Sequence, residues 1–382
     1  MYSVRDATSL NSRTMCVWNA VIITAKQSSK RLRTAEFFGQ ALKNLPVFFM
    51  IYGETKLKLA LDAMGGDKAP EEIVKGAVAA VKKFPCEIVL VGDKLKIQSV
   101  LDSEDAGNLP ITIRHADEII SMREHPADAV RTKKNSSIVI ATEMVKSGEC
   151  DVVLSAGSTG AAVAAAQLIL KRIHGIGRPA IATPMPTLKG VTLLLDSGAN
   201  VDSKPEHLVQ TAMMGAIYAE NVLGKTNARV GLLNIGEEET KGNEQAKETY
   251  ALLKNLRGIN FVGNAEGRDI PAGNFDVVVC DGFVGNVVLK FGEGFAHMIF
   301  KLIKEELGMS GKADSILSTP PVSNLIKRLD VSEYGGAPLL GVDGYCVISH
   351  GSSKAKSICS AIGVAVDYVN SKNLERIKSM LD

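Results

Sequence analysis

Four apolar, mostly branched runs, each cut short by a cluster of Gly, Ser, Asn and Asp, constrain the fold of this 382-residue chain more than any other feature. Run 152–154 stops at SAGSTG, run 191–195 at DSGANVDSKPEH, run 230–233 at NIGEEETKGNE, and run 277–279 at CDGFVGN. Continuous apolar runs of this length, alternating with helical stretches, read as strands of a parallel sheet buried on both faces. The polar clusters then lie at the carboxyl ends of the strands, the edge where open α/β sheets bind ligands. Small residues there let backbone N–H groups approach an oxyanion, and a helix N-terminus behind them adds a favourable dipole. The pattern predicts a site built to hold an anion.

The overall charge of +2 conceals an asymmetry. Residues 1–55 hold seven of the 44 Lys and Arg and three of the 42 acids, so 37 basic and 39 acidic residues remain beyond them. A body so close to neutral argues against a nucleic-acid-binding protein. Residues 1–55 lack both the α/β rhythm and a signal peptide's order of charge, apolar core and cleavage site. They read as an N-terminal extension, with Met50 as an alternative start and a basic targeting or membrane-surface arm as the competing reading. The catalytic body is expected over 56–382. The six cysteines show no metal-ligand spacing and read as reduced core thiols, with no zinc and no disulfide. No stretch reaches the roughly 18 apolar residues of a membrane span.

Further strands are expected over 57–61, 87–91, 260–262 and in 111–125, and helices over 71–83, 126–147, 161–172, 205–223, 243–256 and 287–307. Residues 308–330 differ in texture, with Met309, Ile316, Leu317, Val322, Leu325, Ile326 and Leu329 interleaved with Lys, Ser and Pro. Such an amphipathic segment suits either a bilayer surface or a dimer interface. GIGRPA at 175–180 matches a loose dinucleotide fingerprint, but a strand follows it where a helix is required. Ser158 between Ala156 and Gly160 resembles a nucleophile elbow, and Asp281 and His350 complete the order Ser, Asp, His of a serine thioesterase. The same small residues equally serve close backbone approach to a ligand.

The stronger constellation is cationic and rich in amides. Lys204 and His207 open a helix after Asn200, Lys241 opens another beyond Asn234, and Asn286 and Lys290 follow Asp281 and a glycine loop, Gly282 to Gly285. Phosphate needs a slim point charge, backbone N–H donors and side-chain amides that fix orientation. Gly157, Ser158 and Thr159 of the SAGSTG loop add backbone donors. His207 reads either as a helix cap or as a proton donor.

LDAMGGDKAP, RTKKNSS, SAGSTGA, RPAIATPMPT, LLLDSGANVDSKPEHLVQ, LLNIGEEETKGNE, FVGNAEGRDIP and CDGFVGNVVLK follow one another in this order, with YGGAPLLGV and SHGSS later. Over about 57 to 370 the chain resembles the phosphate acyltransferase family of bacterial phospholipid synthesis, PlsX. The resemblance implies transfer of a long-chain acyl group from the thioester of acyl carrier protein to inorganic phosphate. It implies a three-layer α/β/α sandwich of the isocitrate and isopropylmalate dehydrogenase kind, a homodimer, and no nicotinamide or metal cofactor. It marks Lys241 and Asn286 as essential; His207 ranks below Lys241, because a pantetheine thiolate leaves readily without a proton donor. An acidic carrier calls for a basic patch, for which Arg131, Lys133 and Lys134 are candidates. The implied location is cytoplasmic, with peripheral contact to a membrane that holds a glycerol-3-phosphate acyltransferase. A short-chain acyl-CoA phosphotransacylase is the alternative enzyme.

Overall fold

The computed structural model describes residues 56–309, 319 and 335–381, and the extension 1–55 and most of the 308–330 segment lie outside them. In chain order the elements are β1 (Leu57–Asp62), α1 (Glu71–Lys83), β2 (Cys86–Gly92), α2 (Lys94–Ser103), β3 (Ile111–His115), α3 (Pro126–Thr132), α4 (Ser137–Lys146) and β4 (Val152–Ser155). Then come α5 (Thr159–Ala165), which loosens into a π turn over Ala166–Leu170, β5 (Ala180–Ile181), β6 (Thr183–Thr187), β7 (Gly190–Leu195), α6 (Pro205–Asn221) and β8 (Arg229–Asn234). The remainder is α7 (Glu244–Asn255), β9 (Asn260–Glu266), α8 (Asp269–Ala272), β10 (Val277–Val279), α9 (Gly282–Met309), β11 (Ala337–Leu340), β12 (Tyr345–Ile348), α10 (Ala355–Asn370) and α11 (Asn373–Leu381).

The strands form two sheets where the apolar runs suggested one. The larger has the order β3-β2-β1-β4-β12-β11-β5 and the smaller β6-β7-β10-β8-β9. Pairing is parallel from β3 to β12 and from β7 to β9, so the polar loops gather at one edge of each sheet. The strand expected after GIGRPA is present as β5 and β6, but the antiparallel pairing of β5, β6 and β11 was not foreseen. Two prolines in TPMPT hide β6 from a propensity reading, and β6 occupies a sheet edge, where a missing N–H costs no ladder bond.

Helices cover both faces of the larger sheet, as a period of two demands of a buried strand. Leu59 and Leu61 of β1 and Leu154 of β4 enter a core shared with α1 and α10, whereas Ala60 and Val153 face α4 and α5. Leu193, Leu195, Val230 and Val277 of the smaller sheet join that first core through α6, so one continuous apolar body links the sheets. On the other face of the smaller sheet, Leu194, Val278 and Ala265 pack with Val288 and Leu289 of α9. The architecture is a three-layer α/β/α sandwich.

Two expected elements are redrawn. The helix expected over 126–147 is broken at 133–136: Ser136 turns extended to cap α4, and its Oγ donates to Lys133 O at 2.7 Å. The helix after CDG starts at Gly282, so Gly282 to Gly285 are its first turn and not a loop. Among the described residues, no helix is long and apolar enough to cross a membrane.

Candidate functional site

The loop after β7 is organised by Asp196, the first polar residue beyond the apolar run. Its Oδ1 accepts from the N–H groups of Ile181, Gly198 and Ala199 at 2.9–3.1 Å, and its Oδ2 from Asn200 N and Nδ2, both at 2.8 Å. Burial pushes its pKa up, and the five donors oppose that shift. Asn200 also donates to Pro179 O at 2.6 Å, so both its known donors serve the loop and not a ligand. Asp281 joins this loop to α9: Oδ2 accepts from Ser203 N and Oδ1 from Phe283 N, each at 2.8 Å. Both carboxylate oxygens are thereby engaged, one as an N-cap. A Cβ at Gly282 would strike Asn200 O and one at Gly285 would strike Asp196 O. These glycines let α9 lie directly on the loop, which points Asn286 across Gly198.

Lys241 occupies the loop after β8, the next strand but one along the same edge. Its backbone is held from both ends. Lys241 N donates to Glu238 O at 3.1 Å, and Asn234 Nδ2 donates to Lys241 O at 3.1 Å. Asn234 Oδ1 accepts from Ile235 N at 2.8 Å, so this carboxamide positions the lysine loop. Asn264 Nδ2 supports it from below, donating to Glu238 O at 2.9 Å. Gln245 Nε2 donates to Ser203 O and ties the start of α7 to the Asp196 loop. The Lys241 side chain lies over Gly236, exposed, with no ion pair among the described residues.

The facing edge belongs to the larger sheet. Asp62, at the end of β1, is 3 % exposed and accepts from Ser155 Oγ at 2.7 Å and from Met64 N at 3.2 Å. Burial raises its pKa, against the lowering effect of the Ser137 and Ser155 hydroxyls. Ser155 Oγ also accepts from Gly157 N at 3.0 Å. Ser158 caps α5 by accepting from Ala161 N at 3.4 Å.

A cleft of about 810 Å3 separates the edges. Gly157, Thr159 and Ser349 to Ser353 line it from the larger sheet, and Ser197, Gly198, Asn286, Lys290, Glu293 and His297 from the smaller sheet and α9. Positions 286, 290, 293 and 297 share one helix face. Met122, Ile181, Pro184, Met185, Leu289 and Ile348 supply an apolar wall. Across the cleft, Lys290 Nζ stands 3.1 Å from His350 Nε2.

Of the residues expected to form the site, Gly157, Thr159 and Asn286 line this cleft, and Gly282, Gly285, Asp281, Asn200 and Asn234 build its supports. His207 is elsewhere. Its Nδ1 accepts from Lys204 N at 3.2 Å as a helix cap, and the ring packs on Gly177. Burial and the charges of Arg178 and Lys204 lower its pKa. The serine relay is not assembled, because Ser158 caps a helix, Asp281 bonds backbone, and His350 meets Lys290 and Ser352. In the basic trio, Lys133 is bound to Glu124 at 2.7 Å and to Ile119 O at 2.9 Å, and so holds the loop that carries Met122. Lys134 donates to Val130 O at 3.4 Å, and Arg131 stands 3.9 Å from Asp128. Asp62 and Asp196 escaped the sequence reading, although each is a carboxylate at the junction of an apolar run and a glycine loop, a placement suited to capping turns.

A family model described as fatty acid synthesis protein matches residues 57–376. The chain is 56% identical over 328 residues to the phosphate acyltransferase of Pelotomaculum thermopropionicum, covering 85% of this chain and 95% of that protein. It is 55% identical over 330 residues to the phosphate acyltransferase of Desulfitobacterium hafniense, covering 85% and 97%. Among solved structures, a phosphotransacetylase from Streptococcus pyogenes superposes with a TM-score of 0.57 at 17% identity, covering 89% of this chain and 99% of that one. The EutD phosphotransacetylase from Staphylococcus aureus gives 0.53 at 16% identity, covering 83% and 94%. At those identities the structures show a shared fold, whereas the sequence relatives and the family match show descent. The chain therefore belongs to the PlsX family of phosphate acyltransferases, and it is an enzyme of the acyltransferase class.

Proposed function

We propose that this acyltransferase moves a long-chain acyl group from the thioester of acyl carrier protein to inorganic phosphate, giving acyl phosphate for phospholipid synthesis. The observation that carries the reading is the composition of one cleft, in which an apolar wall stands beside the Asn286 carboxamide and the Lys290 amine. Its volume of about 810 Å3 falls within the range of about 300–1,000 Å3 of small-molecule sites.

Phosphate is already anionic near neutral pH, so positioning and desolvation matter more than activation. Lys241, exposed and unpaired in the loop after β8 and outside the residues that line the cleft, would extend to hold phosphate oxygens with Lys204 and the amides of Ser158 to Gly160. Asn286 has no hydrogen-bond partner among the described residues and would donate to the thioester oxygen as charge develops on it, a contribution of about 2.7–4 kcal/mol. The reaction needs no metal in this scheme. For the carrier, the short ion pair of Lys133 leaves Arg131 and Lys134 as the more available members of the basic trio. A homodimer is supported by an apolar stripe on α9, where Phe283, Val287, Phe291, Phe295, Met298 and Leu302 are all exposed. The enzyme is read as cytoplasmic with peripheral contact to a membrane.

Mass spectrometry of products from palmitoyl-acyl carrier protein, with and without phosphate, tests the reading. Acyl phosphate formed only with phosphate is expected, and Lys241→Ala should lower its kcat/KM about 100- to 1,000-fold. Free fatty acid without phosphate, or a Lys241→Ala enzyme with unchanged kcat and phosphate KM, overturns it. A second reading, a short-chain acyl-CoA phosphotransacylase, draws on the fold shared with phosphotransacetylases. Preference for acetyl-CoA over the palmitoyl carrier would favour it.

A further inference from the structure

Two groups that meet across the cleft are both hydrogen-bond donors. His350 follows β12 on a turn fixed to the neighbouring strand by Ser349 N donating to Ser155 O at 2.8 Å, and closed by Ser353 N donating to His350 O at 2.9 Å. Ser349 Oγ donates to Gly335 O at 2.7 Å and lies 2.9 Å from Ser353 Oγ, which restrains the turn further. The backbone N–H of Ser352 donates to His350 Nδ1 at 3.2 Å, and the Ser352 hydroxyl lies 2.8 Å from the same nitrogen. A backbone N–H has a fixed direction, so Nδ1 presents its lone pair there and the ring hydrogen resides on Nε2. The hydroxyl, free to rotate, then donates to Nδ1 as well. Nε2–H in turn faces Lys290 Nζ at 3.1 Å. A lysine ammonium carries three donors and no acceptor. The pair thus sets N–H against N–H, and an acceptor from outside the chain must satisfy both.

The chain itself offers little to these donors. Among the described residues the one carboxylate within 4.0 Å of the Lys290 amine is Glu293, whose Oε2 stands 3.6 Å from Nζ. That contact leaves Nε2–H of His350 unserved. Lys290 is also the only Lys or Arg among the described residues that line the cleft, whereas Lys241 must extend into it from outside. It lies one helical turn beyond Asn286 on the same face of α9, where side chains four residues apart have Cβ atoms about 5–6 Å from each other. An anion held by Lys290 therefore sits beside the carboxamide read as donor to the thioester oxygen. A thioester oxygen is uncharged before reaction and calls for no ammonium, but a phosphate dianion has oxygens enough for both donors and the charge that makes each bond strong.

We propose that Lys290 and His350 form the phosphate subsite within the cleft, an inference that rests on the phosphate acyltransferase reading and assigns its acceptor a place. The ammonium leaves Glu293 for one phosphate oxygen, and Nε2–H donates to the same oxygen or its neighbour. Ser352 is a positioning residue, whose two donors keep the ring hydrogen on Nε2. A phosphorus oxyanion reaches this cleft from two sources, free phosphate and the prosthetic arm of the carrier, and the proposal commits to free phosphate.

The test measures the full chain with the palmitoyl carrier thioester, varying each substrate in turn. Lys290→Ala should raise the phosphate KM about 10- to 150-fold and leave the carrier KM within about twofold. His350→Ala should raise the phosphate KM about 30-fold, and His350→Gln, whose amide keeps an N–H near the Nε2 position, only about threefold. Glutamine cannot carry a proton in histidine's place, so this partial rescue separates hydrogen bonding from proton transfer. NMR of the full chain with nitrogen-labelled histidine gives a readout without turnover and guards against variants that fail to fold. The His350 signals, identified by their loss in His350→Gln, should show the hydrogen on Nε2, and inorganic phosphate should shift that nitrogen in wild type and not in Lys290→Ala. A phosphate KM unmoved by Lys290→Ala, a raised carrier KM in its place, His350→Gln as impaired as His350→Ala, or the ring hydrogen on Nδ1 overturns the proposal and leaves the acyltransferase reading intact. Wild type that makes no acyl phosphate removes that reading and this inference with it.

Discussion

The two loop edges that face each other across the cleft solve one problem with different chemistry. On the smaller sheet the buried carboxylate of Asp196 is satisfied by five N–H donors, four of them backbone. On the larger sheet the buried carboxylate of Asp62 takes hydroxyls from Ser155 and Ser137, with the N–H groups of Met64 and Gly65 as its backbone donors. Backbone N–H groups cannot rotate, and a hydroxyl can donate or accept as its surroundings demand. The first edge is therefore a rigid frame, and Lys241 and Asn286 follow its strands. The second is adjustable, and its polar contribution to the cleft comes from hydroxyls, glycine amides and His350.

This contrast predicts paired substitutions with unequal costs. Gly285→Ala should be the most damaging, about 3 kcal/mol by urea unfolding, because its Cβ meets the Asp196 carbonyl itself. Gly157→Ala, whose Cβ would stand 3.2 Å from the Ser155 hydroxyl oxygen and 3.3 Å from Gly65 Cα, should cost about 1 kcal/mol. Equal costs would break the distinction between a rigid and an adjustable edge. Next, Asp196→Asn should cost about 2 kcal/mol, since its new NH2 faces donors that cannot turn away, and Asp62→Asn less than about 1 kcal/mol, since Ser155 can accept from it. Circular dichroism melts of the two variants would sharpen the ranking, and a reversed order would refute it.

The smallest effect concerns the loop that carries Met122 to the cleft. Hydrogen bonding by Lys133, then by Ser121 N, holds the Glu124 carboxyl down at about 2. A depressed carboxylate stabilises the fold above its unfolded value of about 4.5, and that contribution fades as pH falls from there through about 2. Ser121 N donates to Glu124 Oε2 at 2.7 Å, so hydrogen-exchange protection of this amide, corrected for intrinsic rate, should fall across that window. Lys133→Met should lower the protection at pH 6 as well. Protection indifferent to both changes would free Lys133 for the carrier-docking role that its ion pair now argues against.

Much of this was legible in the residues. The strands over 57–61, 152–154, 191–195, 230–233 and 277–279 lie where short, mostly apolar runs predict them, because a strand buried on both faces leaves few positions for a polar residue, here Lys58 and Thr192. Ala337–Leu340 and Tyr345–Ile348 escaped because four residues are too few to establish a period, and the bounds and edge position of Thr183–Thr187 because its prolines suit only an edge that pairing itself creates. Lys241 and Asn286 were reachable as a cation and an amide just beyond strand ends. Of the two readings of His207, the structure shows the helix cap: the sequence puts it beyond a strand end, and a capping bond turns its ring toward Gly177.

By itself, then, the sequence determined the α/β class, the strands that form the body of each sheet, the family and the polar loops that follow those strands. These follow from local periodicity and from motifs contiguous in the chain. Only the tertiary structure decided that the strands divide into two sheets, that Asp281 and Asn200 are supports, and that Lys290 meets His350 across sixty residues of chain. Side-chain direction depends on which backbone donors lie within reach, and that is fixed only when separate strands have packed.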